Sequence, residues 1–440
     1  MGKVAPDLID KLRDVPELAV RLLCGGAVRQ DPQRNVVLIS FQGETLEFSK
    51  DVFEYALKVA KAMSIDDSPV STMNDVLQLR HRAEDLFTDQ FLLGDRKLPK
   101  VLFVPAGDMA SAFYRARIPA EAMTDAGDAI AHWTTRLDLL KLSRYQVLWV
   151  QLATSPILYA IAKKAQEHNI KVVYDLDDKF DAILPENPSS EIYVQQKKDE
   201  VWEMIRMADA VTVTTEDLAD MVRPFAKRVY VLPNHVPAAI LPRAQHKPVT
   251  TENPFKILWA GSPSHKRDLA IVTPALKKIL EASKGAVRFV CFGDRAPVEL
   301  AGVSKYVDLM PFAPFVAYGQ LLSDVDAHVA IAPLEKNSFN DAKSAIKYLE
   351  YSACEYASLL SPVGEYAALP ADAPKIMVED HDWERALVYA ITSEDAMRKM
   401  GEDAQKWVRQ NRCIMKTKAK IWTEVASEIL TEQPQARASA

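Results

Sequence analysis

Residues 327–355 read AHVAIAPLEKNSFNDAKSAIKYLEYSACE. The first six are apolar apart from His328, short enough and apolar enough for a strand buried on both faces. Residues 340–356 then show helical spacing. At ~100° per residue, Asn340, Lys343, Lys347 and Glu350 fall within an arc of about 80°, while Ala345, Ile346, Leu349 and Ala353 share the apolar face. A buried strand leading into such a helix predicts a parallel α/β unit. Its helix N-terminus would lie at the carboxyl end of the sheet, where such sheets hold ligands. Lys343 in a first helical turn opposes the macrodipole by roughly a few tenths of a kcal/mol, and Lys347 adds like-charge repulsion. An anion bound there reverses both penalties, and Glu350 one turn on can accept bonds from hydroxyls. The plainer alternative is a solvated stripe with a Lys347–Glu350 pair.

The same alternation extends outward in both directions. Apolar strands are predicted at 100–106 (KVLFVPA), 146–151, 171–176, 210–214 and 228–232, with helices at 116–126, 156–168 and up to 207. Residues 233–254 carry five prolines and no periodic pattern, which marks an interdomain linker, bounded as 237–254. Strands then restart at 256–260, 287–292, 307–310, 327–332 and 375–378. Helices are expected at 271–283, 318–323, 340–356, 382–393 and 394–430. This predicts an α/β chain of two doubly wound parallel-sheet domains, 100–236 and 255–385, facing a cleft. Ahead of them, residues 1–99 read as a mainly helical extension, with helices at 7–23, 50–63 and 72–87 and a strand at 35–41. Residues 431–440 read as a flexible polar tail.

Composition narrows the function classes. Of 440 residues, 48% are hydrophobic and 26% charged, which excludes global disorder, collagen and a coiled-coil rod. The net charge of −6, from 54 basic and 60 acidic residues, gives no whole-chain footprint for nucleic acid. Glycine is scarce, 14 against 26 prolines, about half the usual ~7%. Neither G-x-G-x-x-G nor G-x-x-x-x-G-K-[ST] occurs, so phosphates must be held by other means. Cys24, Cys291, Cys354 and Cys413 form no C-x-x-C pair, and a reduced, cytoplasmic setting is expected. No apolar run reaches the length of a transmembrane segment, and the start lacks signal-peptide and myristoylation patterns.

A second cluster is Asp175, Asp177 and Asp178 in VVYDLDDKF, at a strand end. Three carboxylates in four residues can orient an acceptor hydroxyl, act as a base or bind a divalent cation. A helix cap and polar loop is the alternative. Arg115, following the first strand, is a candidate for the same cleft or a surface arginine. His265 and His235 are weaker candidates. The seven tryptophans are expected in the core.

Residues 326–366 resemble the donor-binding segment of GT-B glycosyltransferases, especially glycosyltransferase family 4 and its bacterial and phage relatives. The pattern N-x-x-K-S-x-x-K-x-x-E-Y is met by Asn340, Lys343, Ser344, Lys347, Glu350 and Tyr351. Residues 208–236, the segment LWAGSPSHKRDL (258–269) and FYRARIP (113–119) resemble three further family stretches, so the resemblance spans 100–430. It implies a GT-B fold, final helices at 386–430 that return to the first domain, and a nucleotide-diphosphate sugar held by the second domain. Glu350 would bind the ribose, and Lys343, Lys347 and Arg267 would neutralise the diphosphate. Gly261, Ser262, His265, Asn340 and Ser344 complete the implied donor set, with Gly261 the only glycine expected beside the donor. Asp177, Asp178 and Lys347 are the implied catalytic groups, and Arg115 and Asp175 the acceptor side. Transfer would be retaining, to a hydroxyl of a saccharide or polysaccharide precursor, with no cofactor and no metal. The protein would then contribute positioning and charge stabilisation of the leaving group. The chain departs from the family at Ala342, where a Glu is usual, at Ser262, where an Arg is usual, and at Asp177, where a His is usual. Two alternatives stay open. One is a phage-type enzyme acting on a hydroxymethylated DNA base, which the net charge does not favour; the other is a non-catalytic nucleotide-sugar-binding protein.

Overall fold

A computed structural model of the chain describes residues 27–31, 36–41, 44–49, 53, 98–107, 110–135, 137, 142–152, 154–237, 247–293, 295–313, 315–414 and 419–431. The chain divides into two compact units, Met1–Leu98 and Pro99–Ala440.

In the first unit, β1 (Ala27–Asp31), β2 (Val36–Phe41) and β3 (Glu44–Ser49) form an antiparallel sheet in sequence order. The strand expected at 35–41 is its centre, and its two partners were not expected. The helices expected at 7–23, 50–63 and 72–87 lie outside the described residues, apart from Phe53. What is described of this segment is this sheet and the helical residue Phe53.

The second unit contains two six-stranded sheets, every neighbouring pair parallel. The first has β4 (Lys100–Pro105), β5 (Ile130–Trp133), β6 (Val147–Gln151), β7 (Lys171–Leu176), β8 (Ala210–Val213) and β9 (Val229–Val231), in the order β5-β4-β6-β7-β8-β9. Helices α1 (Ile118–Ala126), α2 (Pro156–Glu167), α3 (Gln195–Met207) and α4 (Glu216–Val222) connect them. The short strand β10 (Val236–Pro237) leads out of this domain. The second sheet has β11 (Phe255–Ala260), β12 (Val287–Phe292), β13 (Val307–Met310), β14 (Val329–Ala332), β15 (Ala357–Leu360) and β16 (Ile376–Met377), in the order β13-β12-β11-β14-β15-β16. Its helices are α5 (Lys266–Ser283), α6 (Phe315–Asp324), α7 (Ile346–Ala353), α8 (Trp383–Thr392) and α9 (Glu394–Asn411). The central strands are buried apart from Lys171 at the start of β7, because helices cover both faces. Each sheet order reverses direction once, between β4 and β6 in the first and between β11 and β14 in the second. Each reversal leaves a crevice at the carboxyl ends of the strands.

One strand is additional and two predicted helices are interrupted. The edge strand β5 was not expected. The predicted helix 394–430 is interrupted after α9 by β17 (Cys413–Ile414), which pairs in parallel with β10 before α10 (Lys420–Thr431) begins. Trp422 of α10 packs on the first sheet, its ring centroid 5.3 Å from Trp149 and 6.3 Å from Phe103.

The predicted helix 340–356 is also broken. A single turn at Ser338–Asp341 is followed by a bend and then by α7. The groups that would continue the helix are bonded elsewhere. The Ala342 carbonyl accepts the Thr215 hydroxyl at 3.1 Å, the Lys343 carbonyl accepts the Glu365 amide at 3.3 Å, and the Ala345 amide donates to Glu365 Oε2 at 2.7 Å. Gly364 makes the close approach possible. Its φ is +56°, and a Cβ there would lie 2.7 Å from the Asn340 carbonyl. Among the described residues, no helix is long and apolar enough to cross a membrane.

Candidate active site

A cavity of about 490 Å³ opens between the carboxyl ends of the two large sheets. On the second-domain side its wall is built where β11 and β12 end. A Cβ on Gly261 would stand 2.5 Å from the Trp259 ring, and one on Gly293, at φ +97°, would stand 2.6 Å from the Gly261 carbonyl. The two glycines thus present bare backbone to the cavity, and Gly293 joins the glycine expected there. Ser262, which caps the turn Pro263–His265, shares a 2.7 Å hydrogen bond with Ser264.

The bend before α7 carries the domain contact. Ala342, Lys343 and Ser344 each bond a different element of the first domain. Besides the Thr215–Ala342 bond, Lys343 Nζ donates to Asp178 Oδ1 at 2.6 Å, and Asn234 Nδ2 donates to Ser344 Oγ at 2.9 Å. Lys343, expected in the first turn of a long helix, instead lies in the bend, with its ammonium 4.3 Å over the Phe339 ring. The amide at the start of α7 is occupied by Glu365, which in turn accepts Arg412 Nη2 at 2.7 Å. Glu365 thus holds the residue just before α7, whose first turn has no side-chain cap.

Lys347 occupies the first turn of α7 and lines the cavity. Burial, and to a lesser degree Lys343, pulls its pKa down to about 8, against the pull of Asp268 and Glu350. Its Nζ sits 5.5 Å from the Trp259 ring. Among the described residues it makes no salt bridge or hydrogen bond. Glu350 is one turn deeper and 7% exposed. Its Oε1 accepts the Tyr114 hydroxyl at 2.7 Å and its Oε2 the Tyr318 hydroxyl at 3.1 Å. Burial raises its pKa, while the two tyrosines and Lys347 oppose that rise. Both phenols are pushed well above their ordinary value, by burial first and by Glu350, and stay donors. Each carboxylate oxygen keeps a second lone pair for a ligand hydroxyl.

His265 Nδ1 lies 2.7 Å from Asp268 Oδ2. Burial, reinforced by Lys347, lowers the pKa of His265 to about 4, so the ring is neutral at physiological pH. With Nδ1–H donated to the carboxylate, Nε2 is left as an acceptor. Asp177 also lines the cavity. Burial, then Asp178 and Asp175, raises its pKa to about 7, against Arg115 and Lys343. Its nearest hydrogen-bonding partner is Gln151 Nε2, at 3.4 Å.

Four expected site residues are not brought to this cavity. Arg115 and Asp175 were expected on the acceptor side, but both are 0% exposed. Arg115 donates to both Asp175 oxygens, at 3.0 and 2.6 Å, and to Leu232 O and Asn234 Oδ1. Thr212 completes the anion's shell at 2.6 Å. The pair is a buried structural bridge under the sheet end, and only the part of the acidic cluster beyond the strand, Asp177 and Asp178, faces the cavity. Arg267 was expected on the diphosphate. It is half exposed and held by Glu335, at 3.0 and 2.6 Å, and by Glu186 at 3.3 Å. Asn340 spends its amide on Asp268 Oδ1 and the Glu335 carbonyl, at 2.8 and 2.9 Å. It therefore supports His265 through Asp268 and does not line the cavity.

Sequence reasoning missed Tyr114, Asp268, Tyr318 and Gly293 as parts of the site. Tyr114 and Asp268 stood inside FYRARIP and LWAGSPSHKRDL, where a polar residue next to a marked one was the available signal. Tyr318 and Gly293 lie in segments with no such signal.

No family model matches the chain, and no curated protein matches it in sequence. Solved structures do match. HepE of Anabaena in complex with UDP-glucose is similar at a TM-score of 0.56 and 12% identity, over 75% of this chain and 99% of that one. A glycosyltransferase of Rickettsia africae gives 0.52 at 14% identity, over 77% and 100%. Sucrose-phosphate synthase of Thermosynechococcus elongatus gives 0.52 at 12%, over 76% and 99%. At these identities the likeness is one of fold. The chain has the GT-B fold of glycosyltransferases, two Rossmann-like parallel-sheet domains facing a cleft.

Proposed function

We propose that the chain is a retaining glycosyltransferase of the family 4 type, moving a sugar from a nucleotide-diphosphate donor to a hydroxyl acceptor. The observation that carries this reading is Lys347, a half-buried cation with no salt bridge or hydrogen bond among the described residues, lining a cavity that Asp177 lines as well. A diphosphate supplies the anion that Lys347 lacks, with Lys343 beside it. Glu350 then accepts the ribose hydroxyls, and His265 Nε2 accepts a hydroxyl of the donor sugar. HepE binds UDP-glucose, which makes that nucleotide sugar the first donor to try.

In this mechanism the bond from the sugar's anomeric carbon to the diphosphate breaks, and a bond to the acceptor oxygen forms on the same face. The acceptor proton passes to the departing diphosphate. Lys347 and Lys343 stabilise the negative charge that develops there, and the Asp177 carboxylate orients the acceptor hydroxyl. The charge is met by protein cations, so EDTA is expected to leave turnover unchanged. The direct test is a panel of UDP-, GDP-, CDP- and ADP-glucose, read by thermal shift and by release of the nucleoside diphosphate. One donor should raise Tm and be consumed. Stabilisation without release under any condition would make the chain a binder, and no stabilisation by any donor would sink the reading.

A pH dependence follows from two groups. Asp177 must be ionised, so kcat/KM rises through about pH 7. Lys347 must be protonated, so kcat/KM falls above about pH 8. Rates between pH 5.5 and 9.5 should trace a narrow bell belonging to the free protein. Lys347→Arg should move the alkaline limb upward, and Asp177→Asn should remove the acid limb at low residual activity. The folded protein also holds the Asp177 proton more tightly than the ordinary value of 3.8. That contribution to stability is present below pH 3.8 and lost as pH rises through about 7. Asp177→Asn should accordingly raise Tm at pH 8.

A further inference from the structure

Part of the cavity lining differs in chemistry from the residues around Lys347. Ala110, Ala112, Phe113, Arg117 and Trp133 from the first domain and Phe312 from the second form it. Phe312 is 76% exposed where it lines the cavity. Trp133 closes the edge strand β5, and Phe113 opens the π-helical turn Phe113–Arg117 that precedes α1. The wide turn brings residue 117 back over residue 113. The Arg117 guanidinium carbon lies 5.6 Å from the Phe113 ring and 5.6 Å from the Trp133 ring. Two rings fix the guanidinium plane by cation–π contact. Its Nε donates to Glu121 Oε1 at 2.7 Å, one turn along α1. Its Nη atoms have no acceptor among the described residues.

An arginine paired at i,i+4 on a surface needs no function. This one is held in a ring clamp on the rim of a cavity, with its outer nitrogens open. That fork matches a carboxylate or phosphate better than water, and the neighbouring aromatic faces suit a ring.

We propose that this wall is the acceptor subsite and selects a ring-bearing acceptor with an anionic substituent, the ring against Trp133 and Phe312 and the anion on Arg117. This deepens the transferase reading and rests on it for the word acceptor. Asp177, on the same cavity, takes the hydroxyl. The chemistry is shared by acidic sugars and by aromatic hydroxy acids.

The test is direct binding to the full chain, with and without UDP, of two matched pairs: methyl glucuronide against methyl glucoside, and 4-hydroxybenzoate against 4-hydroxybenzyl alcohol. At least one charged probe should bind about tenfold tighter than its neutral partner, and which pair discriminates names the source. Arg117→Gln should abolish the discrimination, Trp133→Ala should weaken both members, and UDP binding should be unchanged in both variants. Equal binding of charged and neutral probes, no binding of any probe, or variants that bind as the parent does would overturn the proposal. If the charged probe binds through Arg117 but no nucleotide sugar is bound or consumed, the transferase reading fails and the anion-and-ring site stands.

Discussion

Lys347→Met is expected to lower kcat/KM by roughly 10²–10³, the range seen when one preorganised charge-stabilising donor is lost. The methionine keeps an apolar stem against Trp259 and removes only the ammonium. The ammonium is partly desolvated with no hydrogen bond or salt bridge among the described residues, so its removal relieves a cost in the empty protein. Tm should therefore hold or rise while UDP affinity falls. That opposition separates a ligand-binding cation from a structural one, whose loss lowers both. A variant within about threefold of the parent in kcat/KM would end the assignment of Lys347 to the leaving diphosphate.

The largest stability effect is expected at the buried Arg115–Asp175 bridge. Asp175→Leu leaves the guanidinium uncompensated at 0% exposure, beneath the Trp422 ring that it faces at 4.8 Å. Breaking such a pair from one side costs about 3–5 kcal/mol, read as a fall in the urea midpoint. The double replacement Arg115→Met with Asp175→Leu should recover much of the loss, because no charge then stays buried alone. Arg115 also holds Asn234, which donates to Ser344 across the domain contact. Activity in the double variant should thus remain reduced even where stability returns. A single replacement costing less than about 1 kcal/mol would show that water reaches the site.

Residue types and periods carried the sheets but not the contacts between domains. Stretches such as KVLFVP and VLWVQ are buried from both sides, so their continuous apolarity announces them without any knowledge of neighbours. The strand Ile130–Trp133 lies at an edge, and its four residues include His132, which leaves no period to read. The break at 342–345 is less legible still. Ala-Lys-Ser-Ala contains no helix breaker, and the helix stops because Thr215 and Glu365 capture its carbonyls and amide. The acidic cluster shows the same limit. Asp175 and Asp177 are two residues apart, and spacing alone cannot show that the strand ends between them. One is sealed under Arg115 and the other emerges at the cavity. Of the tyrosines that hold Glu350, Tyr114 is 236 residues away in sequence, a distance over which local pattern carries no information.

The parallel pairing of β10 with β17 and the seating of Trp422 against Phe103 and Trp149 bear on how the chain acquires its shape during synthesis. The first large domain is begun near residue 100, yet an aromatic face of its core waits for a helix made only after the second domain. The entire second domain, leaving and returning at neighbouring points, can be made and folded in the interval. A ribosome-bound first domain therefore carries an uncovered apolar surface at Phe103 and Trp149 until α10 has been made. Docking of α10 then covers that surface, and the β10–β17 pairing sets the two chain crossings side by side.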